Sequence, residues 1–186
     1  MVKKLILFPI IIIISIILAS IYGLIHNQIS YSISTEYFTK FKFEQFGFVE
    51  YGLDTPRITA GLIGIWATIW FGFFIGLVNG FVGLFQPTSG IMWKSITGAT
   101  IRTLFIAIGF GIIGILVGMF LISNLNWNFP ADLNNRKTFL IAGTMHNFSY
   151  LGGLIGLIYG IVYQLKIRKG NLRGSTKSDQ HVPTQP

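Results

Sequence analysis

Four uninterrupted apolar runs, at residues 5–25, 58–85, 98–122 and 139–165, constrain this chain more than anything else in it. Each exceeds the roughly 20 residues that cross about 30 Å of hydrocarbon at ~1.5 Å per residue. A membrane β-barrel would instead alternate polar and apolar residues in segments of about 10. With no water to satisfy it, the backbone of each run must close its own hydrogen bonds as a helix. Composition agrees: 52% of the 186 residues are hydrophobic and 11% charged, where soluble domains carry about 25% charged residues. The expected fold is therefore all-α, a polytopic membrane protein of four helices at about 5–25, 58–85, 98–122 and 138–165. Residues 1–165 form one transmembrane domain.

Charge sets the expected orientation. With four crossings, Lys3, Lys4, Lys94, Lys166, Arg168, Lys169, Arg173 and Lys177 fall on one side. The other side holds Lys40, Lys42, Arg57, Arg136 and Lys137, balanced by five acidic residues. The positive-inside rule counts Lys and Arg, so both termini are expected in the cytoplasm of a cell-membrane (inner-membrane) protein. Met1-Val2-Lys3-Lys4 and the small residues Ala19 and Ser20 also fit a signal peptide cleaved after Ser20. The apolar run continues past that point to Ile25, which favours an uncleaved anchor. Residues 166–186 are polar, basic and rich in Gly, Ser, Thr and Pro, so a disordered cytoplasmic tail attracted to anionic lipid headgroups is expected. Arg102 is expected to snorkel to the headgroups.

Glycine supplies 22 residues, 16 of them in the last three runs. Gly72, Gly76 and Gly80 in the second run, Gly114 and Gly118 in the third, and Gly152, Gly156 and Gly160 in the fourth recur at a spacing of four. Small residues at that spacing let membrane helices approach through their backbones, so a glycine-rich bundle is expected. Trp66, Trp70, Phe73, Leu77 and Phe81 take the broader remaining face of the second run. The second and fourth runs share a Gly-x-x-Ile-Gly-Leu-x-x-Gly-x-Val pattern, which would fit a parallel duplication or convergence.

The connection at residues 26–57 is the least generic segment, with eight aromatic residues between Tyr31 and Tyr51. Ser34 is placed to cap a short helix with Glu36 in its first turn, and beyond Tyr37 helix and strand are both open. The stretch from Gln28 to Phe43, Gln-Ile-Ser-Tyr-Ser-Ile-Ser-Thr-Glu-Tyr-Phe-Thr-Lys-Phe-Lys-Phe, resembles a motif that follows the first helix in an uncharacterised family of small polytopic bacterial membrane proteins. The resemblance implies a bacterial cytoplasmic membrane and carries over no activity and no functional residue.

Chemistry-bearing motifs are sparse. Nucleotide-binding loops, a His-Glu-x-x-His zinc site and a Gly-x-Ser-x-Gly nucleophile are missing from the sequence. There is no cysteine and no acidic residue inside the runs. Neither metal nor cofactor is expected, and no nucleic-acid partner. One polar constellation remains: His26, Glu36, Tyr37, His146 and Asn147, expected to converge on the extracytoplasmic side, because polar groups inside a span are costly and often mark a site. The favoured reading is a non-enzymatic structural or accessory subunit that binds another membrane protein or its own copies. A small oligomeric transporter or channel is the alternative, and a membrane-embedded enzyme using His26 and His146 comes third.

Overall fold

The computed structural model describes residues 1–122 and 133–179. The elements run α1 (Val2–Ile33), α2 (Thr35–Tyr37), a π-helical turn (Phe38–Lys42), α3 (Phe43–Phe46), α4 (Pro56–Leu84), α5 (Ser89–Phe120) and α6 (Arg136–Asp179). Strands are absent among the described residues. Four of the helices, α1, α4, α5 and α6, are long and apolar enough to cross a membrane. This is an all-helical, multi-pass membrane protein.

Helix ends fall where local chemistry puts them, and several lie outside the apolar runs. Pro56 opens α4 in its first turn, where its missing N–H costs nothing. The Thr88 hydroxyl accepts from Ile91 N–H and starts α5 well before residue 98. Helix α1 continues eight residues beyond residue 25, carrying His26 and Asn27 inside it. Hydropathy marks the part of a helix that meets hydrocarbon, not the polar turns that extend it. The tail needs a correction. Helix α6 runs through Asp179, so residues 166–179 are helical rather than disordered, because adding a residue to an existing helix avoids the cost of nucleation. The remainder of the tail, 180–186, lies outside the described residues.

The four long helices associate as two antiparallel pairs, α1 with α4 and α5 with α6. Along α4, a Cβ on Gly72 would lie 2.7 Å from Ile16 Cα, and one on Gly76 would lie 2.8 Å from Ile12 Cα. Gly80 faces the Phe8 ring, and Gly64 meets Gly23 backbone to backbone. In the second pair the close approach changes helix along the seam. Gly118 and Gly114 of α5 press on Ile141 and Met145, then Gly152 and Gly156 of α6 press on Ala107 and Thr103. The Cβ of an alanine at Gly156 would come within 2.7 Å of Thr103 Cα. The opposite face of α4 carries Trp66, Trp70, Phe74 and Phe81, all exposed.

Between the pairs contact is sparser, with Ile11 packed on Met92 and Ile96 and with hydrogen bonds gathered at two polar ends. At one end, Gln164 Nε2 of α6 donates to Asn79 Oδ1 of α4 at 2.9 Å, and Gln86 Nε2 donates to the Gln164 carbonyl at 2.9 Å. All three amides are fully buried there. Lys4 closes this end by donating to the carbonyls of Leu84 and Gln86. Arg102 is half-buried, donating to Gly98 O and lying 3.9 Å above the Tyr163 ring. The other end holds the histidines.

Candidate functional site

His26 and Asn27 are adjacent on α1 and both buried, about 100° apart around the axis. Asn27 turns toward α4, where its Nδ2 donates to Ala60 O at 2.9 Å. That bond aims Asn27 Oδ1 across the pair boundary, 3.1 Å from His146 Nε2 on α6. An amide oxygen only accepts, so the bond to Asn27 needs the His146 proton on Nε2, while the Ala142 carbonyl, likewise acceptor-only, competes for it at Nδ1. Its Nδ1 lies 2.9 Å from the Ala142 carbonyl and 3.4 Å from the Ser30 hydroxyl. The His26 and His146 rings meet edge to face with centroids 4.6 Å apart. Tyr22, one turn earlier on α1, places its hydroxyl 3.2 Å from His26 Nδ1 and against Ser149 Oγ of α6.

The aromatic connection forms the roof. Ser34 caps α2 by accepting from Tyr37 N–H at 3.2 Å. Beyond Tyr37 the segment is helical, with a π turn that widens the spacing. Residues five apart then line up on one side, and Phe38 and Phe43 are both fully buried there. Tyr37 packs its ring at a tilt against His146, centroids 5.0 Å apart, and meets Phe139 at 5.3 Å. Burial pushes the Tyr37 phenol upward. Lys42 is buried beside the rings of Tyr37, Phe41 and Phe46 and donates to Gln45, and burial pulls its ammonium downward.

Of the five residues expected to converge, His26, Tyr37 and His146 do. Glu36 does not. Its carboxylate accepts from the backbone N–H groups of Asn134 and Asn135 at 2.9 and 2.7 Å and pairs with Lys40 at 2.9 Å. It thereby ties α2 to the entry of α6. These bonds, led by the one from Asn134, hold its carboxyl near pKa 2. Asn147 is exposed on the far side of α6. The correction follows from helix geometry: neighbours diverge by about 100°, so a His146 that points inward sends Asn147 outward. Sequence reasoning missed Asn27, Tyr22 and Ser149. Tyr22 and Ser149 each had a signal, one turn before His26 and three residues after His146 on the same face.

Below this cluster, between the helix pairs, lies a cavity of about 140 Å³. Tyr22, His26, His146, Ser149 and Tyr150 line its polar end, and Gly23, Gly64, Ala67, Thr68 and Ala107 belong to its small-residue walls. Phe71 and Tyr150, both in the lining, stack nearly parallel at 5.3 Å. No Lys, Arg, Asp or Glu belongs to the lining. Groups of three or more metal-ligating side chains are absent among the described residues. No family model matches the chain, and no curated protein or solved structure shows significant similarity to it. The chain is of the class of integral membrane proteins, with four spanning helices and a chamber between two helix pairs.

Proposed function

We propose that this membrane protein binds a small lipid-soluble molecule in the chamber between its helix pairs, acting as a binding or carrier protein rather than an enzyme. The observation that carries the reading is the cavity itself. Membrane bundles close by packing small residues, as each pair does along its glycine seam, yet the boundary between the pairs leaves room for a guest. An apolar space of roughly 150 Å³ accommodates one benzene ring, and this one has about 140 Å³. Leu18 and Ile101 both line the chamber and reach the exposed surface. A molecule dissolved in the bilayer therefore has an entry between α1 and α5. The charge split argues for both termini in the cytoplasm, with the histidine end outward.

Photolabelling tests the reading. A phenyl diazirine added to the protein in lipid nanodiscs is expected to insert saturably at Tyr22 and Thr68. Ala67→Phe, which fills the chamber, is expected to abolish that labelling while leaving insertion at the exposed Trp66 and Trp70 unchanged. Labelling confined to the outer face would overturn it.

A second reading, the accessory subunit, is favoured by one patch. Val49, Tyr51 and Leu53 are 55, 74 and 59% exposed in the turn before α4, outside the spans. Aromatic and aliphatic side chains left bare there suit a membrane interface or a partner membrane protein. Co-purification of a stoichiometric partner that Tyr51→Ser and Leu53→Ser release is the measurement that supports it.

A further inference from the structure

The polar atoms around the chamber, on the ligand-binding reading above, define the head that a guest would carry. Ser149 Oγ, Tyr22 OH and His26 Nδ1 form a chain of three polar atoms. A phenol is a stronger donor than an alcohol, and imidazole nitrogen is the best acceptor among the three, so Ser149 donates to Tyr22 and Tyr22 donates to His26. Neutral imidazole then carries its hydrogen on Nε2. That N–H takes no partner among the described residues, in contrast to His146, whose two nitrogens both face protein oxygens. The Tyr150 hydroxyl also makes no hydrogen bond among the described residues. Both residues line the chamber. Both donors are therefore open to a partner from the chamber, and a guest with acceptors supplies one to each.

We propose that the chamber takes the carbonyl-bearing ring of a lipid-soluble molecule, a quinone-type or aryl-ketone head, with its alkyl chain leaving between α1 and α5. The carbonyl oxygens accept from His26 Nε2–H and Tyr150 O–H. The nearly parallel rings of Phe71 and Tyr150 present a flat wall to a flat guest. Charged heads are disfavoured, because the lining has no ionised side chain to compensate a phosphate, carboxylate or ammonium at this depth. A purely apolar ring fits the volume but leaves both donors unpaired.

The test is equilibrium dialysis, in the dark, of 2-decyl-1,4-benzoquinone and of decylbenzene between nanodiscs carrying the full chain and empty nanodiscs. The two probes share a ring and a tail and differ in the acceptors. Saturable excess binding of the quinone is expected, about a hundredfold tighter than that of decylbenzene, the factor set by two net hydrogen bonds at about tenfold each. Tyr150→Phe removes one oxygen, and His26→Phe keeps a ring while removing the N–H. Each is expected to weaken quinone binding about tenfold and leave decylbenzene unchanged, with the Tyr150 variant the safer of the two for folding. Equal binding of both probes would leave the chamber reading standing and overturn the assignment of the head. Binding of neither probe above the empty discs would overturn both.

Discussion

Single side chains in this protein are oriented by carbonyl and amide partners more than by charge. Asn27 shows how. It holds Ala60 O on its own pair and His146 on the other, so removing it leaves a buried imidazole N–H and a carbonyl without that partner. Asn27→Ala is expected to cost about 1–3 kcal/mol, read as a lower melting temperature in detergent, and Asn147→Ala is expected to cost nothing measurable. His26-Asn27 and His146-Asn147 are the same dipeptide, and the sequence alone does not tell which asparagine is buried, because helix rotation decides it. Glu36 gives a pH prediction. Its folded carboxyl titrates near 2, below its ordinary 4.5. A depressed acid contributes stability that is complete above the unfolded value and is lost as pH falls through the folded one. Docking of α2 on the entry of α6 is therefore expected to weaken between about pH 4.5 and 2, seen as faster hydrogen exchange at residues 35–46. Glu36→Gln should weaken that docking already at pH 7 and flatten the response. An unchanged profile in that variant would show that another group governs the contact.

Whole elements are held by where glycine lets two backbones meet. A spacing of four put Gly72, Gly76 and Gly80 on one face in the sequence, but which helix lies across from them was not legible. Gly76 faces α1 and Gly156 faces α5. Leucine at either position would force atoms into the neighbouring helix at Ile12 or Thr103, a clash with backbone rather than with a yielding side chain. Gly76→Leu and Gly156→Leu are each expected to lower thermal stability by more than the ~1–3 kcal/mol typical of overpacking a core, while Phe81→Leu on the exposed face changes little. Equal melting of all three would remove the close-approach argument. The aromatic segment was harder to read. Its alternating Phe41, Lys42, Phe43 and Glu44 suggested a strand as readily as a helix, but the π turn breaks that alternation, burying Phe38, Lys42 and Phe43 and leaving Phe41 exposed.

At the scale of the molecule, the arrangement is two hairpins joined by polar latches, a feature no run of hydropathy could display. Within each pair the contact is continuous backbone approach. Between pairs the contact is sparser: the Asn79–Gln86–Gln164 amides beside the apolar Ile11, Met92 and Ile96 at one end, the Phe71–Tyr150 stack, and the Tyr22–Ser149 and Asn27–His146 bonds at the other. Pair integrity and pair association should therefore be separable by mutation. Residues 1–88 and 89–186, co-expressed as two fragments, are expected to co-purify through a tag on either one, because each fragment keeps its own glycine seam. Interhelical hydrogen bonds in membranes contribute only about 0.6 kcal/mol each on average, so no single latch should suffice to release the halves. Asn79→Leu with Asn27→Leu, one latch from each end, should lose co-purification while each fragment still resists proteolysis. Loss of protease resistance in the same variant would mean that the hairpins are not independent units. In the full chain the covalent connection at residues 85–88 keeps the halves together. The same double substitution is then expected to loosen the chamber, and to speed exchange of the proposed guest, without unfolding the protein.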